Sequence, residues 1–194
     1  MSFILLGILN IQTTAGGLAN DFDLLETVSI TNSSTTSVTF SGLGSYSAYK
    51  HLQIRCAGSF SSGNASRWLL MSFNGDTSSN YTYHYLQVEG SSGAAQTFRE
   101  VNRSRIPALE LMAQPRTSQF NSGVIDILDF ASSSKTTTTK SLYGIQDIND
   151  PYWRLGMWSG LWNNTAAVTS IGLAADNSAA FVSGSRFSLY GIKG

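Results

Sequence analysis

The sequence predicts an all-β protein: an antiparallel two-sheet sandwich of jelly-roll type, preceded by an apolar N-terminal arm. Three observations predict it. No long stretch carries a 3.6-residue apolar period. Short runs of alternating apolar and polar residues recur instead, bounded by Gly, Asn, Asp and Ser. The surface composition also fits an exposed sheet: Ser and Thr make up about a quarter of the chain, while charged residues are 12%, half the usual ~25%.

The strands follow in order. Glu26 to Ile30 alternates, with Val28 and Ile30 on one face. Ser37-Val-Thr-Phe40 turns Val38 and Phe40 inward and ends at Ser41-Gly-Leu-Gly44. Tyr49 to Ala57 has the clearest pattern, with Leu52, Ile54 and Cys56 inward and His51, Gln53 and Arg55 outward. Arg67 to Phe73 closes at Asn74-Gly75-Asp76, and Asn-Gly is a strong turn signal because both residues accept positive φ. Tyr81 to Val88 stacks Tyr81, Tyr83 and Tyr85 on one face, with His84, Leu86 and Val88 on the other.

Gly123 to Phe130 and Thr136 to Ile145 read as a strand pair across Ser132-Ser-Ser-Lys135. The β-branched run Thr136-Thr-Thr-Thr139 supports a strand there. Trp153 to Trp162, Ala167 to Leu173 and Arg186 to Ile192 complete the set, with Asn163-Asn164 turning the first into the second. Gln96 to Phe120 reads as a long irregular excursion holding Pro107 and Pro115, with one helical turn at Ala108 to Met112. About nine or ten short strands without internal repeats suit one sandwich domain. The expected organisation is a docking arm and linker over residues 1–20 and the sandwich over 21–194.

Residues 1–11 carry no charge, and the first basic side chain is Lys50. A secretory signal needs a basic n-region, a spanning helix about 20 apolar residues, and a membrane-surface helix Lys or Arg on its polar face. None is met, so no membrane insertion is expected. Two compatible readings remain for Phe3, Ile4, Leu5, Leu6, Ile8, Leu9 and Ile11. They complete the domain's own sheet, or they dock on another subunit, as exposed apolar surface of that size does. The formal net charge of +0 argues against nucleic acid, which demands a basic footprint. The single Cys56 excludes an intramolecular disulfide and reads as a small buried hydrophobe.

Chemistry is sparse. Neither His51 nor His84 lies in a nucleophile context. Asp126 and Asp129 are three apart on a predicted strand, so they face opposite ways and cannot pinch one sugar. Asp126 reads instead as a hydrogen-bonding anchor at a sheet edge or subunit contact. Asp147 with Asp150, and Asn74 with Asp76 and Asn80, offer oxygen ligands without EF-hand spacing. No cofactor, metal or catalytic residue is therefore expected. Trp153, Trp158 and Trp162 form a candidate glycan platform together with the tyrosines of the Tyr81 strand. Core and interface packing competes with that reading and is favoured. Arg99, Arg103, Arg105 and Arg116 cluster in the irregular stretch as a second candidate partner surface.

A series of ordered pieces carries a resemblance. It runs through Phe22-Asp-Leu-Leu-Glu-Thr27, Ser37-Val-Thr-Phe40, Tyr49-Lys-His-Leu-Gln-Ile-Arg55, Phe73-Asn-Gly-Asp76, Asn80-Tyr-Thr-Tyr-His-Tyr85, Ile125-Asp-Ile-Leu-Asp-Phe130, Gly160 to Ser170 and Ser185 to Ile192. The series resembles a family of small β-rich virion structural proteins of tailed bacteriophages. The resemblance implies a non-enzymatic capsid decoration or cement subunit, commonly a homotrimer, docked by its arm on capsid or tail proteins. It further implies location in the virion, after assembly in the bacterial cytoplasm. The competing expectation is a receptor- or glycan-binding module of a tail fibre or baseplate that reads host surface glycan. A virion-borne glycan-cleaving enzyme lacks its acid/base pair.

Overall fold

The computed structural model describes residues 21–62, 66–90, 93–113, 119–146 and 153–194. Twelve strands appear among them: β1 (Phe22–Ser29), β2 (Ser37–Ser41), β3 (His51–Gly58), β4 (Ser66–Phe73), β5 (Tyr81–Glu89), β6 (Ala95–Arg103), β7 (Ile106–Met112), β8 (Asn121–Leu128), β9 (Thr137–Gln146), β10 (Trp153–Trp162), β11 (Ser170–Ala175) and β12 (Arg186–Ile192). The one described helix is a 3-10 turn over Leu43–Tyr46. One sheet has eight strands in the order β1-β12-β3-β8-β9-β10-β5-β6, and the other has four in the order β2-β11-β4-β7. The strand pairings are all antiparallel.

The pairings are nested. β1 pairs β12, β2 pairs β11, β3 pairs β8 and β4 pairs β7. Such nesting is a long hairpin rolled into two sheets, β1-β12-β3-β8 over β2-β11-β4-β7, which is the jelly roll the sequence predicts. Two hairpins are inserted into it. β5–β6 follows β4, and β9–β10 follows β8. Side by side they extend only the first sheet.

The alternation read from the sequence holds across β3: Leu52, Ile54 and Cys56 are buried at 0–4% exposure, whereas Arg55 is exposed. Asn74 and Gly75 both take positive φ, at 53° and 69°, as the turn requires. The strands they join, β4 and β5, lie in different sheets.

The Gln96 to Phe120 expectation is corrected. That stretch holds β6 and β7 rather than a loop, and Ala108 to Met112 is strand, not helix. Every residue from Ile106 to Met112 is buried, because β7 packs across β8, β9, β10 and β5. A strand with both faces covered loses its period-two signal. Pro107 is tolerated because the β4–β7 register slips there: Leu69 opposes Leu109 while Leu70 opposes Pro107.

Inward glycines make room for core side chains, Gly156 for the ring of its cross-strand neighbour and Gly160 for a residue of the other sheet. A Cβ on Gly156 would lie 2.5 Å from the Tyr143 ring, and one on Gly160 would lie 2.6 Å from Ile106 Cγ2. Tyr143 is 2% exposed and held by hydrogen bonds to Gln87 and Trp158, so its ring has little room to yield. Gly156→Ala is therefore expected to cost about 1–3 kcal/mol, a fall of several degrees in Tm. Gly144 lies beside it on β9 with nothing within 4 Å of its would-be Cβ. Gly144→Ala is expected to be neutral or stabilising by up to about 1 kcal/mol. Equal melting temperatures for the two variants would contradict this packing.

Candidate docking groove

The inserted strands are anchored by their inward faces. Trp158 of β10 stacks on Tyr83 and Tyr85 of β5 at 6.3 and 4.8 Å between ring centroids. Its indole N–H donates to the Tyr143 hydroxyl at 3.2 Å, and that hydroxyl donates to Gln87 Oε1 at 3.1 Å. Trp162 stacks on Tyr81 at 6.4 Å, and its indole N–H donates to Asp76 Oδ2 at 2.8 Å. Trp158 and Trp162 are 3% and 1% exposed. Neither presents a ring face to solvent, which corrects the platform reading for these two residues. Trp153, half-buried at the start of β10, does not join them.

Each strand's outward residues then fall into rows across the sheet. One row is aliphatic: Val124 on β8, Leu142 on β9, Met157 on β10 and Leu86 on β5 are direct cross-strand neighbours. Leu142, Met157 and Leu86 are 52%, 58% and 47% exposed. Leu155, also exposed, extends the patch two residues along β10. The neighbouring row is polar: Gln53, Asp126, Lys140, Ser159, His84 and Arg99 run in register from β3 to β6. A groove of about 1100 Å³ lies over the two rows.

The sequence-derived candidates therefore separate. Arg99 lies in this groove, opposite His84. Arg103 and Arg105 stand instead at the β6–β7 turn, around a cleft of about 200 Å³ with Trp68, Tyr83 and Asp176. Phe3, Ile4, Leu5, Leu6, Ile8, Leu9, Ile11, Arg116, Asp147 and Asp150 lie outside the described residues. Asp126 accepts a hydrogen bond from Gln53 at 2.7 Å. It is an anchor as expected, but β8 lies mid-sheet rather than at an edge.

The other candidate chemistry is occupied by structure. Asp129 sits past the end of β8, where the Lys135 ammonium donates to it at 3.0 Å and holds its carboxyl below the usual range, with Lys50 nearby. The His51 ring accepts from the Asp129 backbone N–H at 3.0 Å. Asn74 Oδ1 accepts from the Thr169 and Ser170 backbone N–H groups at 2.7 and 3.1 Å. Burial pushes the Cys56 thiol up to about 12.

Glu110, 1% exposed on β7, accepts from Ser66 Oγ at 2.8 Å and Trp68 Nε1 at 3.0 Å. Burial pushes its carboxyl up to about 7 against those two hydrogen bonds. The Arg154 guanidinium, bridging Glu110 to Glu89, adds the opposite pull. This network ties β10 and β5 to the four-stranded sheet. Among the described residues, no three His, Cys, Asp or Glu side chains gather as a metal site.

The aliphatic row was not singled out in the sequence. Its signal is that Trp153 to Trp162 is apolar in both alternating phases, with Trp158 and Trp162 in one and Leu155, Met157 and Leu161 in the other.

No protein-family model and no curated protein matches the sequence. Among solved structures, the chain is similar to the carbohydrate-binding module of a Ruminococcus gnavus sialidase bound to α2,3-sialyllactose. The identity is 11%, covering 86% of this chain and 91% of that one, with a TM-score of 0.34. A likeness at that score carries no argument about what this chain binds.

Asp76 makes the groove's foundation pH-sensitive. Hydrogen bonds from Asn80, Trp162 and Ser78 hold its carboxyl down to about 2, against the ordinary 3.8. A depressed carboxylate contributes stability that is present above its unfolded pKa and lost as pH falls through the folded one. Asp76→Asn is therefore expected to lower the urea midpoint at pH 5, with the gap to wild type narrowing between pH 4 and pH 2. A gap independent of pH over that range would contradict the role given to this carboxylate.

Proposed function

We propose that the chain is a structural subunit of a tailed-phage virion, a capsid decoration protein that docks on neighbouring virion proteins through the outer face of its eight-stranded sheet. The aliphatic row of Val124, Leu142, Met157 and Leu86, of which the last three are about half exposed, carries this reading. Monomeric soluble surfaces rarely keep such a patch uncovered, and a polar rim around it is the mark of a protein interface. At about 25 cal/mol per Å² of apolar surface removed from water, covering this face is a substantial driving force.

Two further features support the reading. The low charge, 12% of residues, removes the repulsion that opposes close packing of many copies. The ordered series from Phe22 to Ile192 resembles virion structural proteins. The apolar segment from Phe3 to Ile11 is then a second docking element, and the homotrimer remains the expected assembly.

Sugar binding as the main task of the groove is disfavoured by its chemistry. A glycan site wants exposed aromatic faces, and the outward row here is aliphatic, with Trp158 and Trp162 turned into the core. Phe98, 43% exposed in the groove and packed on Tyr85 at 5.7 Å, is a single exposed ring beside the polar contacts of Arg99 and His84, against four side chains in the aliphatic row.

Met157→Asp places a carboxylate at the centre of the face without touching the core, because Met157 is 58% exposed. The variant is expected to fold with an unchanged near-ultraviolet spectrum from its buried tryptophans. It is expected to bind particles lacking the native subunit at least about tenfold more weakly, since an unpaired charge in an apolar contact is costly. Binding equal to wild type would remove the docking assignment.

A further inference from the structure

The groove has two unlike walls. The aliphatic row of Val124, Leu142, Met157 and Leu86 crosses three strand spacings, roughly 14 Å at ~4.8 Å each. The polar row runs beside it two residues along each strand, about 7 Å away. On that row Lys140 and Arg99 are exposed and have no carboxylate within ion-pair reach among the described residues. Its single acid, Asp126, accepts from the Gln53 amide at 2.7 Å and keeps its negative charge opposite Lys140. With Lys140 and Arg99 against Asp126, the wall carries two cations to one anion, a net positive charge beside an apolar strip.

Charge complementarity selects the occupant. The chain's own residues 1–11 carry no charged side chain, so they would cover the strip and leave Lys140 and Arg99 without partners. A second copy placed face to face would bring four cations together with only two Asp126 carboxylates, and the excess of like charge is costly. A fatty acid matches the polarity but needs an enclosing pocket that buries most of its surface. Here the floor is open, with Leu142 and Met157 more than half exposed.

We propose that the groove receives an acidic, amphipathic segment of a partner protein. Its apolar side chains lie on the Val124–Leu86 row, and its carboxylates meet Lys140, His84 and Arg99. The inference rests on the docking role of the outer face and adds the partner's chemistry. Lys140 and Arg99 select the partner and its orientation, while the aliphatic row supplies most of the affinity.

The test uses the full chain and three synthetic helical peptides sharing one leucine stripe, with Glu, Gln or Lys on the polar face. Fluorescence anisotropy gives their affinities at about 50 and 300 mM salt, which shortens the screening length roughly 2.4-fold. The Glu peptide is expected to bind about tenfold more tightly than the Gln peptide at low salt, with the Lys peptide weakest and the differences shrinking at high salt. Lys140→Glu combined with Arg99→Glu is expected to reverse the order. Equal binding of the Glu and Gln peptides, no binding of any peptide, an order that survives the double substitution, or a laurate probe that outcompetes the Glu peptide each overturns the inference. Leu142→Asp separates the two claims. If it abolishes peptide binding while charge makes no difference, the docking face stands and only the acidic partner falls. If it changes nothing, both fall.

Discussion

Everything on the outer face depends on which way Trp158 and Trp162 point. Side chains in a strand alternate with a period of two, so fixing one residue inward fixes its neighbours outward. Trp158 is locked by stacking on Tyr83 and Tyr85 and by its hydrogen bond to Tyr143, and Trp162 by Tyr81 and Asp76. Aromatic pairs of this kind add about 0.5–1.5 kcal/mol each beyond their buried area. A one-residue slip of β10 would expel both indoles and bury Met157, so the register is strongly specified. Met157 is thereby held outward between Leu142 and Leu86, and Ser159 between Lys140 and His84. The aliphatic and polar rows are the obverse of the aromatic core.

The location of those rows follows from how the jelly roll is extended. The nested pairs build an ordinary eight-stranded roll with two four-stranded sheets. The hairpins β5–β6 and β9–β10 widen one sheet without widening the other. β7 covers part of the added inner face, which is why a hydrogen-bonding edge strand is buried at all seven positions. The Glu110–Arg154–Glu89 network then ties the added strands to the smaller sheet. A buried ionic link of this kind adds little net stability over an apolar contact, but losing one partner would leave an uncompensated buried charge. The insertions thus bury the largest side chains of the core, Trp162, Tyr81, Tyr83 and Tyr143, and carry the surface with the clearest binding chemistry.

Much of this was legible in the sequence. Leu52, Ile54 and Cys56 alternate with polar residues because β3 is covered on one face, so the pattern gives both the strand and its orientation. Asn74-Gly75 announces its turn because both residues must take positive φ. β7 is illegible for the opposite reason: Ile106-Pro-Ala-Leu-Glu-Leu-Met112 is covered on both faces, has no alternation, and holds a proline, accommodated on an edge strand where the register with β4 slips. Arg99, Arg103 and Arg105 are neighbours in the sequence, yet the strand end and turn send Arg99 to one groove and the other two to another. The aliphatic row escaped the sequence reading because its members come from β8, β9, β10 and β5, and only the pairing order brings them together. Core packing is the favoured sequence-based reading of Trp158 and Trp162, and the glycines beside them, Gly156 and Gly160, are a further sign that this face is tightly covered.

Docking through the outer face is read directly by the oxidation rate of individual methionines in the free chain and in assembled particles. Met157 is 58% exposed, while Met71 and Met112 are fully buried and serve as internal controls. Oxidation follows accessibility. Sulfoxide is expected to form rapidly at Met157 in the free chain and slowly in the particle, with Met71 and Met112 slow in both. Oxidation of Met157 at the same rate in both states would contradict the claim that the outer face of the eight-stranded sheet is where this protein docks.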